Sequence, residues 1–212
     1  MYLINGILHT MASDVICDGF VSFEHGKIAA VGRMDELQLP EQAEVLDVTG
    51  CHIYPGLVDA HSHLGMFGDS LGFESDDGNE ITDPVTPQLR AIDAINPFDR
   101  CFQEAREGGV TTVVTGPGSS NAIGGQMAAI KTVGRRVDDM ILRAPVAMKF
   151  ALGENPKSCY NDRHETPITR MATAALIREE LFKAREYLEK KDRAAADEDA
   201  DAPEFDLKLE AL

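Results

Sequence analysis

Residues 54–63 read Tyr54-Pro55-Gly56-Leu57-Val58-Asp59-Ala60-His61-Ser62-His63. A short apolar run led by Pro-Gly ends in two histidines spaced i, i+2. Such a run fits a fully buried strand. In an extended segment, side chains at i and i+2 point to the same face. Two imidazoles at the mouth of that strand can therefore hold one divalent metal from one side.

Upstream, residues 1–52 read as short strands and tight turns. Phe20-Val21-Ser22-Phe23 alternates, Glu24-His25-Gly26-Lys27 turns, and Ile28-Ala29-Ala30-Val31 runs apolar. This is a hairpin pattern with Gly26 at a positive-φ position. Glu44-Val45-Leu46-Asp47-Val48 reads as a further strand before Thr49-Gly50.

Downstream the texture changes. Phe98, Cys101, Phe102 and Ala105 follow helical spacing, with Asn96 as expected cap, Pro97 at the first helical position and Gly108-Gly109 as the stop. Val110-Thr111-Thr112-Val113-Val114 is a β-branched strand, and Gly116-Pro117-Gly118 breaks it. Ser119–Gly125 reads as a polar, glycine-rich loop that lacks the Lys-Ser/Thr of a phosphate-binding loop. Val146–Leu152 reads as the next strand and Thr166 to about Arg193 as a long helix. Strands alternating with helices imply parallel βα units.

Composition narrows the function classes. The chain has 212 residues, 43% of them hydrophobic, which is enough for a substantial core. A net charge of −16 argues against nucleic acid and anionic membranes as partners. Much of this charge is local, in 197–201 and in Glu74-Ser75-Asp76-Asp77. Both patches read as solvated loops, and the second, close behind the histidines, is also a candidate active-site rim. Cys17, Cys51, Cys101 and Cys159 form no Cys-x-x-Cys pair, which suits a reducing compartment. The N-terminus lacks a basic, then apolar, leader pattern, and no apolar stretch approaches the ~18 residues of a spanning helix. A cytoplasmic protein is expected.

At Pro55–His63 the sequence resembles the amidohydrolase superfamily of metal-dependent hydrolases. The upstream order agrees: Asn5-Gly6, Asp18-Gly19, Gly26–Gly32 and Asp47-Val48-Thr49-Gly50 resemble the N-terminal strands of the imidazolonepropionase-related group. The resemblance implies an α/β fold. A small β-sandwich-type subdomain, residues 1–52, would precede the first part of a (β/α)8 TIM barrel, residues 53–212, with the active site at the C-terminal strand ends. It implies His61 and His63 as ligands of a divalent metal, most simply Zn²⁺. The next ligand in such enzymes is a Glu ending strand three or a carboxylated Lys ending strand four. Counting Val146–Leu152 as strand three favours Glu154, with Lys149 as the alternative. His9, His25 and His52 read as surface or packing residues and His164 as a solvated loop histidine.

The implied activity is hydrolysis of non-peptide, often cyclic, amide C–N bonds in a small molecule. Residues 53–212 are too few for the about 250 residues of such a barrel, and no histidine follows His164. The chain is therefore expected to be an N-terminal fragment. The later histidines and the catalytic Asp would lie outside it, so no catalytic residue is assigned within it and it is expected to be inactive alone. The alternative is a non-catalytic truncated remnant that folds with a partner fragment or as a homo-oligomer. Substrate-binding residues are not legible.

Overall fold

The turn that joins the first hairpin forms because His25 and Gly26 both take positive φ, at 51° and 73°. That twist matches the strands it connects. The computed structural model describes residues 1–69 and 72–212. These divide into two compact units, Met1–Gly56 and Leu57–Leu212.

The first unit contains β1 (Tyr2–Leu8), β2 (Ile16–Glu24), β3 (Lys27–Arg33), β4 (Val45–Asp47) and β5 (His52–Ile53). They form one five-stranded sheet in the order β3-β2-β1-β4, with β5 also on β1. The hairpins β1–β2 and β2–β3 are antiparallel, whereas β4 and β5 run parallel to β1. Leu8, Phe20 and Val21 are its buried apolar side chains. The expected sandwich is represented among the described residues by this single sheet.

The second unit contains β6 (Leu57–Ser62), α1 (Arg100–Glu107), β7 (Val110–Thr115), β8 (Ile123–Lys131), α2 (Val137–Met140), β9 (Ile141–Phe150), α3 (Glu154–Asn161), α4 (Arg170–Ala196) and α5 (Leu207–Ala211). The strand order is β6-β7-β8-β9. β6 and β7 are parallel and joined through α1, the one βα unit that matches expectation. β7, β8 and β9 then run antiparallel in succession. Phe102 of α1, Val113 of β7, Ile130 of β8 and Met140 of α2 share one buried core. Full burial of a side chain such as Phe102 contributes about 1.5–3 kcal/mol.

Four readings change. First, Leu57 and Val58 are 57% and 66% exposed, on a strand that among the described residues pairs only with β7. Second, α1 starts at Arg100 rather than Phe98. Asp99 caps it by accepting from the Cys101 amide, while Asn96 accepts from the Phe98 amide in the turn before. Third, the expected loop Ser119–Gly125 ends early: β8 begins at Ile123, so Ile123–Gly125 are strand. Fourth, β9 runs from Ile141 to Phe150, so the strand bearing Lys149 is fourth in its sheet rather than third.

Candidate metal centre

His61 is the penultimate residue of β6, and His63 follows the strand end. Asp59 ties down the backbone leading into His61 by accepting from the His61 amide at 3.1 Å. The intervening Ser62 is buried on the other side and donates to the Val114 carbonyl at 3.1 Å. The two rings stand edge to face with centroids 5.3 Å apart.

His63 Nδ1 lies 2.7 Å from the Gly116 carbonyl. A carbonyl only accepts, so Nδ1 carries the proton and Nε2 keeps its lone pair. Metal-binding histidines are commonly held in this way. The His63 and Phe67 rings also stand edge to face, with centroids 6.0 Å apart.

Lys149 completes the cluster. Its Nζ lies 3.2 Å from His61 Nε2, although the two residues sit on the opposite edge strands β9 and β6. In a flat sheet three strand spacings would separate those edges by roughly 14 Å. The sheet therefore curls toward the face that bears both side chains. Gly124 on β8 lets the lysine lie across it, since a Cβ there would stand only 3.3 Å from Lys149 Cγ.

Glu154 is placed elsewhere. It opens α3, its side chain is 72% exposed, and it accepts from Lys157 at 2.7 Å. That hydrogen bond holds its carboxyl below the usual glutamate range. The structure thus brings together His61, His63 and Lys149, and sets Glu154 in a separate ion pair. Among the described residues, no three His, Cys, Asp or Glu side chains converge on one point.

A cavity of about 340 Å³ has Met66, Asp76, Asp77, Glu80, Pro117 and Gly124 in its lining, while His61, His63 and Lys149 do not line it. Pro117 follows the residue that anchors His63, and Gly124 is the residue Lys149 crosses. Asp76 and Asp77 also border this cavity. Glu80 is held below the usual glutamate range, chiefly by the Thr82 hydroxyl and then by its amide.

Sequence reasoning missed Gly116, Gly124 and Asn121. The signal was present in the glycine-rich 116–125 stretch, but it read as a strand break followed by a loop. Away from this cluster, His9 Nε2 and His52 Nδ1 lie 2.8 Å apart, and His9 stacks on Tyr54.

Comparison with known proteins adds the family. A solved amidohydrolase from Thermotoga maritima MSB8 superposes with a TM-score of 0.90 at 41% identity, over 99% of this chain and 54% of that one. The chain is related to the amidohydrolase superfamily. Amidohydrolase tasK of Hapsidospora irregularis is 35% identical over 186 residues, covering 82% of this chain and 19% of its own length. An imidazolonepropionase of Geobacillus sp. (strain WCH70) is 50% identical over 59 residues, 26% of this chain and 14% of that protein. No family model matches. The chain spans about half of the solved amidohydrolase and under a fifth of these two relatives, consistent with an N-terminal portion. Among the described residues, no helix is long and apolar enough to cross a membrane.

Proposed function

We propose that this chain carries the first metal-binding elements of a hydrolase acting on C–N bonds of non-peptide, often cyclic, amides, with a small molecule as substrate. The observation that carries the reading is the approach of Lys149 to His61, on the face that His63 shares. The donor set fits a divalent ion, most simply Zn²⁺. His61 and His63 would hold it through imidazole nitrogens, and Lys149, carboxylated on Nζ, would add carboxylate oxygens. Glu154, the other candidate, is less well suited because its carboxylate is engaged by Lys157.

A divalent ion bound there would supply Lewis acidity, polarising a carbonyl and making water nucleophilic near neutral pH. The chain's own residues do the rest. Gly116 fixes the His63 tautomer through its carbonyl. Gly124 admits the Lys149 side chain. The cavity lined by Pro117 and Gly124 is where the substrate body would rest, and the Phe67 ring packs against His63. Proton transfer to the leaving nitrogen is assigned to no residue here.

Lys149→Arg and Glu154→Gln separate the two third-ligand candidates. Zinc affinity should fall in Lys149→Arg and hold in Glu154→Gln, and ¹³C-bicarbonate should give a carbamate resonance that Lys149→Arg abolishes. The reverse pattern would assign Glu154. A second reading draws on the exposed Leu57 and Val58: a non-catalytic chain that folds with a complementary fragment or as a homo-oligomer. Metal-dependent turnover of a cyclic amide by this chain alone would exclude it.

A further inference from the structure

Lys149 and His61 meet across two intervening strands. The curl of the β6-β7-β8-β9 sheet brings its two edges together here, with no backbone pairing between β6 and β9 themselves among the described residues. A buried hydrogen-bond hub lies beside it. Asn121, Thr86 and Tyr160 are 2%, 2% and 0% exposed. Asn121 Nδ2 donates to the Glu80 carbonyl at 2.6 Å and to Thr86 Oγ1 at 2.9 Å. Its Oδ1 accepts from the Tyr160 hydroxyl at 2.8 Å. Thr86 Oγ1 lies 3.2 and 3.3 Å from the Ile123 and Gly124 carbonyls.

The hub therefore ties three pieces of chain. Glu80 and Thr86 belong to the long connection that follows His63. Ile123 and Gly124 open β8, directly beneath Lys149. Tyr160 is on α3, which follows β9. One amide side chain cross-links the segment leaving β6 to the segment leaving β9. Asn suits this place because it both donates twice and accepts, and burial makes each unmade bond costly.

We propose that Asn121 is a positioning residue: it holds Lys149 against His61 by fixing the segments after β6 and β9 to the start of β8. The zinc part of the test rests on the proposed metal site, whereas the part that reads the His61–Lys149 approach does not.

The experiment compares wild type, Asn121→Leu, Tyr160→Phe and a control, Thr173→Val, which removes a different buried hydroxyl on α4. Two quantities are read: the nuclear Overhauser contact between the Lys149 methylenes and the His61 ring, and zinc affinity by competition with a chelator. The contact should be present in wild type and the control, weakened in Tyr160→Phe and lost in Asn121→Leu. Zinc affinity should fall by about tenfold or more in Asn121→Leu, as for other groups that orient metal ligands, and stay unchanged in the control. If Asn121→Leu does not fold, the milder Tyr160→Phe carries the test. A contact seen in wild type without zinc binding, yet lost in the variants, supports the positioning role and removes only the metal reading. The proposal is overturned if the contact is absent from wild type. It is also overturned if the contact and affinity survive both hub variants, or if Thr173→Val reduces them equally.

Discussion

His63 directs its Nδ1 proton to the Gly116 carbonyl, and this leaves Nε2 as the nitrogen able to meet a cation. The same residue-by-residue logic sets the reactivity of other groups. Burial, with a smaller contribution from the Asp99 carboxylate, pushes the Cys101 thiol up to about 11, so little thiolate forms near neutrality. Cys17 and Cys51 are exposed. Alkylation at pH 8 read by peptide mass spectrometry should label those two well before Cys101. At Glu154 the lowered carboxyl range has a defined sign. The Lys157 pair contributes above the unfolded glutamate pKa, and that contribution fades as pH falls through the lowered folded value. Side-chain NMR titration should find Glu154 titrating higher in Lys157→Met than in wild type. The pair is solvent-exposed, so global stability should barely change.

At the scale of elements, α1 depends on a cap that sequence reading placed three residues too early. Asp99→Ala should cost about 1 kcal/mol in urea unfolding, whereas Asn96→Ala, outside the helix, should cost less. β7 was legible because Val110–Val114 is β-branched throughout, which suits a pleated surface on its own account. β8 was not. Gly124-Gly125 and Ala128-Ala129 carry little intrinsic strand preference, and the segment is a strand because β7 and β9 pair with it on both sides. The early half of β9 was hidden by Pro145, which demotes a strand in sequence. β9 is an edge strand, so an unfilled donor position there is tolerated. The imidazole pair stood out in the sequence through its i, i+2 spacing together with the Pro55–Asp59 run before it. The preference for Glu154 came from a strand count that omitted β8, and the proximity of Lys149 depends on sheet curvature, which no local pattern encodes. Gly124→Ala should reveal that dependence: a methyl group 3.3 Å from Lys149 Cγ should lift the lysine away and lower zinc affinity with little loss of stability.

For the whole molecule, the prominent feature is apolar surface on elements that also form the site unit. Beyond Leu57 and Val58 on β6, Met171 and Phe182 on α4 are 78% and 52% exposed. Apolar surface of this kind favours association, against the solubilising effect of a net charge of −16. Sedimentation should therefore show association that rises with concentration and with salt, as screening weakens the charge repulsion. A monomer at every concentration and salt would contradict this. Metal binding at His61 and His63 is read by a zinc titration of wild type beside the His61→Ala/His63→Ala double variant. The account predicts one chelator-resistant zinc per wild-type chain and none in the double variant, with both proteins folded alike by circular dichroism. Equal tight zinc binding by the two, or none by wild type after incubation with bicarbonate, would contradict it.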